Sequence, residues 1–215
     1  MVPQKAIRSN RMKIVLALAL LGHILCGVCD CLLSYSPSGR IDLAGVLKDA
    51  KKMRDEFKDL PLSWPMASIL LGVAAITMFG FGYLELSKWM STFSQTVSTI
   101  MYIASVVFLI SIVVHHVICG LVEWLYVRLG RTDEARTVAL EFQKKTIATM
   151  FVGYLGLAVF LVTLFIMVVT GRTSLPQWAC IVNTLPLMAV LALTKFPAKG
   201  NIAGAVMYLG LLMLI

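Results

Sequence analysis

Long apolar stretches alternate with short charged segments along this chain. Four stretches contain no Asp, Glu, Lys or Arg: Leu60–Leu84, Trp89–Val122, Thr146–Gly171 and Thr173–Thr194. A helix needs about 20 apolar residues to cross a bilayer, and a backbone surrounded by lipid has to satisfy its own hydrogen bonds. These stretches therefore predict transmembrane helices.

Two further stretches are apolar but less regular. The stretch 14–34 is interrupted only by His23 and Asp30, and 200–215 is short for a span. Together they predict an all-α, polytopic transmembrane helix bundle of about six spans, forming a single membrane domain over 1–215. The spans are predicted near 12–34, 66–88, 95–125, 146–170, 177–194 and 200–215.

An internal repeat is a further hypothesis. Residues 23–30 read HILCGVCD and residues 116–123 read HVICGLVE, each near the end of a span and before a basic segment. This pattern is consistent with two parallel repeat units, 12–90 and 95–170, each with two spans, followed by a closing hairpin at 175–215.

The positions of the basic residues indicate contact with lipid rather than with nucleic acid. The chain is 59% hydrophobic and only 14% charged, and its net charge of +8 comes from basic residues that flank the spans. The segments 41–58 and 132–145 have helical apolar spacing and many lysines, so we expect them to contact anionic lipid headgroups. They are equally well explained as solvated connectors packed on the span ends. The distribution of Lys and Arg between loops favours an N-terminus outside, although the basic residues before the first span oppose that orientation.

Ionisable residues inside spans are costly and usually mark function. A histidine and an acid lie seven residues apart in the first span (His23 and Asp30) and again in the third (His116 and Glu123), so each pair shares a helix face. If the first and third helices touch, both faces converge on one pocket. The residues predicted to line it are His23, Asp30, His115, His116, Glu123 and Asn183.

Four interpretations of these groups remain open. They can be structural hydrogen bonds between helices, or they can bind or transport a small polar, charged or lipid ligand. They can also form a metal or haem site in an intramembrane enzyme, or a thiol oxidoreductase built on the C-x-x-C of Cys26 and Cys29, with Cys119 nearby. The pattern specifies neither a cofactor nor catalytic residues.

Three short motifs resemble a known group of proteins. They are Gly-x-x-Asp-x-Leu-Leu-x-Tyr over Gly27–Tyr35, the third-span histidine with its later acid, and Gly-Asn-x-x-Gly over Gly200–Gly204. Together they resemble bacterial six-helix membrane proteins classed as a domain of unknown function. The resemblance implies a multi-pass protein of the bacterial cytoplasmic membrane and a functional pocket at Asp30, and it implies no particular activity.

Overall fold

The computed structural model describes residues 4–215, with side chains described from Asn10 onwards. In chain order the elements are α1 (Gln4–Ser34), β1 (Tyr35–Ser36), β2 (Gly39–Arg40), α2 (Leu43–Lys48), α3 (Ala50–Phe57), α4 (Ser63–Met90), α5 (Gln95–Arg128), α6 (Asp133–Thr146), α7 (Ala148–Val169), a 3-10 helix (Gln177–Val182), α8 (Thr184–Ala192) and α9 (Lys199–Leu214). The two strands form only a short antiparallel hairpin, so the prediction of an all-α fold holds for the described chain.

Four helical stretches are long and apolar enough to cross a membrane. They are Asn10–Ser34, Ser63–Met90, Gln95–Arg128 and Asp133–Val169, the last of which joins α6 to α7. These stretches coincide with the first four predicted spans. The prediction of several helices long and apolar enough to cross a membrane is therefore confirmed for this part of the chain.

The region of the predicted fifth span is divided into two short elements. The 3-10 helix ends at Val182 and α8 begins at Thr184, because the Asn183 side chain accepts a hydrogen bond from the Leu185 N–H at 2.9 Å and caps α8. Pro186 consequently lies in the first turn of α8, where proline is tolerated. It therefore does not interrupt a continuous helix.

The long helices are arranged as a closed ring. Helix α4 packs between α1 and α5, α7 packs against α5, and α9 packs against α1, while the 3-10 helix and α8 connect α7 with α9. Glycines permit the close approaches, since a Cβ at Gly22 would lie 2.6 Å from the Phe79 nitrogen of α4. One half of the ring is filled by a core that includes the fully buried aromatic residues Tyr83, Phe160 and Tyr208.

The segments α2, α3 and α6 cover the other end of the ring, which we call the amphipathic end. Val46, Met53 and Phe57 pack against Tyr126 of α5 in a second buried cluster, to which α6 also contributes. Thr132 caps α6 by accepting a hydrogen bond from the Ala135 N–H at 3.1 Å. The apolar faces of both segments are therefore partly buried on the span ends.

The relation between the two repeat units, 12–90 and 95–170, stays a prediction.

Candidate functional site

A cavity of about 410 Å³ lies inside the ring, toward the amphipathic end. Its walls come from α1, α4, α5, α7, α8 and the first turn of α9. Six of the residues singled out from the sequence line it: His23, Cys26, Asp30, His115, His116 and Cys119. The structure thus brings the polar faces of the first and third spans to one space, which we call the inner cavity.

A chain of hydrogen bonds leads from the floor of the inner cavity to Asp30. The Tyr83 hydroxyl lies 3.5 Å from His23 Nε2, and His23 Nδ1 lies 3.0 Å from Asn201 Oδ1. The Asn201 side-chain amide then donates to Asp30 Oδ2 at 2.8 Å. A single assignment satisfies all three contacts: the tyrosine donates to a neutral His23, and His23 donates to Asn201.

Close packing also holds His23 in place. Its ring stacks on Phe79 with centroids 4.4 Å apart, and only 4% of the residue is exposed. Gly204 of α9 lies against the other side, where a Cβ would come within 2.6 Å of both ring nitrogens. His23 therefore positions Asn201 and has no free nitrogen to offer a ligand.

His116 approaches Asp30 from α5. Its Nε2 lies 3.1 Å from the backbone oxygen of Ser68 on α4, and that oxygen can only accept, so Nε2 carries the hydrogen. Its Nδ1 lies 3.8 Å from Asp30 Oδ1. Gly72 makes room for this ring, because a Cβ at Gly72 would overlap the imidazole. Helix α4 thus links the first and third spans at this point.

The other predicted site residues do not join the contacts around Asp30. His115 lies 3.5 Å from the Cys119 sulfur and 3.4 Å from the Thr149 hydroxyl, at the wall that α5 shares with α7. Cys29 is fully buried in the helix packing. Asn183 is also buried, and its amide donates to the Leu161 oxygen at 3.1 Å, so its described contacts are structural.

Glu123 lines a second, outer cavity of about 300 Å³ between the span ends and the segments α2, α3 and α6. Asp30 and Cys119 line both cavities and mark where the two meet. Glu123 is 8% exposed, and its Oε2 has no hydrogen-bond partner among the described residues. The acid of the second polar face thus lies nearer the amphipathic end than His116 does.

Sequence reasoning missed Asn201 as a site residue. Its motif Gly-Asn-x-x-Gly was visible over Gly200–Gly204, and the G-x-x-x-G spacing favoured a packing role. Both roles are present, since Gly204 packs on His23 while Asn201 bonds His23 and Asp30. A polar residue inside a helix-packing motif was the available sign that the helix contact is also a polar site.

Comparison with known proteins places the chain in a family. It matches the family of unknown function DUF6796 over residues 4–215. The chain belongs to this family. No curated protein and no solved structure gives a significant match. Membership in DUF6796 agrees with the resemblance drawn from the three short motifs, and it assigns no activity to the inner cavity.

Proposed function

We propose that this protein binds a small amphipathic ligand in the inner cavity, within the membrane. The observation that carries the proposal is the separation of polar and apolar walls in a cavity of about 410 Å³. Ligand sites of this size are typically apolar with a few convergent polar groups. Here Asp30, His116 and Asn201 come from three different helices and converge near the amphipathic end.

The deeper part of the cavity is apolar. Phe79 and Tyr83 of α4, Phe108 of α5 and Leu157 of α7 line it beside the hydrogen-bonded His23 ring, and each lies farther from the amphipathic end than Asp30, His116 and Asn201 do. Beneath them the ring is filled by the buried core. Because the cavity is closed at this end, it favours binding of a ligand whose polar group points toward Asp30. It does not favour transport of a ligand straight through the ring.

The last three helical elements support placing the whole ring in the bilayer. Ile181 on the 3-10 helix, Val190 on α8, Leu193 at its C-cap and Met213 on α9 are each at least 60% exposed. Exposed aliphatic side chains on a ring of apolar helices are stable in lipid. We propose that the 3-10 helix and α8 together form a fifth membrane segment and that α9 forms a sixth.

A tryptophan that fills the inner cavity should displace the ligand. Leu157 lines the cavity on α7, whereas Leu155 on the same helix is 66% exposed on the outside of the ring. We expect wild type and Leu155→Trp to co-purify with the same small amphiphile and Leu157→Trp to lose most of it. Solvent extraction of matched preparations followed by untargeted mass spectrometry measures this. Equal recovery of every extracted species from all three proteins would contradict the proposal.

The amphipathic end also suits anionic headgroups. Leu43, Leu47 and Val138 remain more than 50% exposed beside the lysines of α2, α3 and α6, so an apolar and basic surface is left after these segments pack. We propose that this surface lies among anionic lipids.

Replacing Lys48 and Lys51 by glutamine should therefore reduce the preference for anionic lipid. The measurement is the change in thermal stability when anionic lipid is added to zwitterionic nanodiscs containing the protein. We expect a smaller stabilisation for the double variant than for wild type. Exchanging Lys13 and Lys88, near the opposite end of the ring, for glutamine serves as the control. An equal loss in both double variants would show general charge attraction without a local site.

A further inference from the structure

Three metal-ligating side chains meet on the wall of the inner cavity. The Cys26 sulfur, an Asp30 oxygen and a His116 ring nitrogen lie within 4.8 Å of one another. Cys26 and Asp30 are one turn apart on α1, and His116 reaches them from α5. We propose that these three side chains bind a zinc ion. This inference deepens the proposed function. It rests on the proposed function in one respect only, namely that a ligand in the inner cavity would occupy the coordination position that the protein leaves open.

The hydrogen bonds around the cluster leave the right atoms free. Asn201 occupies Asp30 Oδ2, and the Ser68 carbonyl occupies the Nε2–H of His116. Asp30 Oδ1 and His116 Nδ1 remain, 3.8 Å apart. In the neutral histidine both atoms are acceptors that face each other, an arrangement that a cation between them stabilises. Histidine ligands in zinc sites characteristically donate their other N–H to a backbone carbonyl or carboxylate, as His116 does here.

The donor set matches zinc in kind and in charge. Thiolate, imidazole and carboxylate are the ligands that zinc prefers, at about 2.3 Å to sulfur and about 2.0–2.2 Å to nitrogen and oxygen. Binding requires Cys26 to release its thiol proton to water. The resulting thiolate, the Asp30 carboxylate and Zn²⁺ together carry no net charge. Neutrality matters because an uncompensated charge is costly at this depth in a membrane.

Three protein ligands leave a fourth position for water or a ligand atom. Structural zinc sites use four protein ligands, whereas sites that act on a substrate keep one position open. The residues of this cluster line the inner cavity. The site would therefore hold the polar end of the amphipathic ligand through an oxygen donor such as a carboxylate or phosphate, close to Asn201.

Cobalt substitution tests the site directly. The protein, purified without a histidine tag, is stripped with chelator and then titrated with Zn²⁺ or Co²⁺. We expect one equivalent of zinc by elemental analysis, and with cobalt a near-ultraviolet thiolate-to-metal band. Cys26→Ser should abolish the band, and Asp30→Asn and His116→Gln should weaken binding at least tenfold. Cys180→Ser, which removes a thiol outside the cluster, should change neither measurement.

Each outcome decides the inference. Absence of stoichiometric metal in wild type, or a cobalt band that survives in Cys26→Ser, would overturn it and leave Asp30 and His116 as an ion pair. Leu157→Trp separates this result from the proposed function, because that variant should lose the amphiphile and keep the metal. If wild-type protein binds no stoichiometric metal but still co-purifies with the amphiphile, the zinc site is refuted and the proposed function is not.

Discussion

Replacing Gly72 by alanine is expected to lower the free energy of unfolding by about 1–3 kcal/mol, the usual cost of overpacking a core. A Cβ at this position would overlap the His116 ring, and that ring is fixed by its hydrogen bond to Ser68. The ring cannot withdraw without leaving a buried N–H unpaired. Unfolding in detergent with increasing SDS, followed by circular dichroism, measures the change.

Two comparisons isolate the contact between Gly72 and His116. Gly200→Ala places a Cβ where nothing lies within 4 Å, so it should be neutral or gain up to about 1 kcal/mol from helix propensity. In a His116→Ala background, Gly72→Ala should cost much less than it does in wild type, because the overlap is removed. If Gly72→Ala is as stable as Gly200→Ala, the close packing of α4 on His116 is wrong.

Replacing Asn201 by leucine is expected to destabilise the protein by about 1–4 kcal/mol. Leucine has similar volume but leaves His23 Nδ1 and Asp30 Oδ2 without partners. An unsatisfied buried group costs about 1–3 kcal/mol, and the half-buried Asp30 carboxylate should cost less than the buried His23 ring. The same SDS titration measures this loss. Gln143→Leu, at a half-buried position of the outer cavity, is the control and should stay within about 0.5 kcal/mol of wild type.

A double-mutant cycle tests whether His23 and Asn201 act as a pair. His23→Phe keeps an aromatic ring on Phe79 but removes both ring nitrogens. In the Asn201→Leu background this change should cost less than in wild type, with a coupling of about 0.5–3 kcal/mol, as is usual for residues in direct contact. Strict additivity of the two changes would contradict the hydrogen-bond chain from Tyr83 to Asp30.

The hydrogen-bond chain gives Asp30 and His116 different roles from His23. Both nitrogens of His23 have partners, whereas one oxygen of Asp30 and one nitrogen of His116 face each other across 3.8 Å. The groups available to a ligand are therefore Asp30 and His116. His23 lies farther from the amphipathic end and orients Asp30 through its hydrogen bond to Asn201. This division explains why a single asparagine in the last helix is expected to matter as much as the ionisable residues.

Much of the candidate site could be predicted because helical spacing is regular. His23 and Asp30 share one face of α1, and His115, His116 and Cys119 lie near one face of α5, and all of them line the inner cavity. The sequence did not reveal that α4 stands between these helices and that Ser68 and Gly72 carry the contact. Residue spacing within a helix determines which side of that helix each side chain points to. It contains no information on which other helix packs against that side.

The sequence alone also predicted a longer continuous helix in the last third of the chain than the structure contains. An apolar stretch of suitable length predicts one span over 177–194, but Asn183 satisfies two backbone groups and divides it into a 3-10 helix and α8. Hydropathy cannot detect this division, because a side chain that caps a helix leaves the apolar character of the stretch unchanged.

The sequence by itself determined that the chain forms apolar helices, since lipid forces a backbone to satisfy its hydrogen bonds within each segment. It also determined which faces of the first and third helices carry ionisable groups. Only the tertiary structure decided that α9 places Asn201 between His23 and Asp30, and that α4 orients His116 toward the same carboxylate. Those contacts join residues far apart in the chain, and they depend on how whole helices pack rather than on any local pattern.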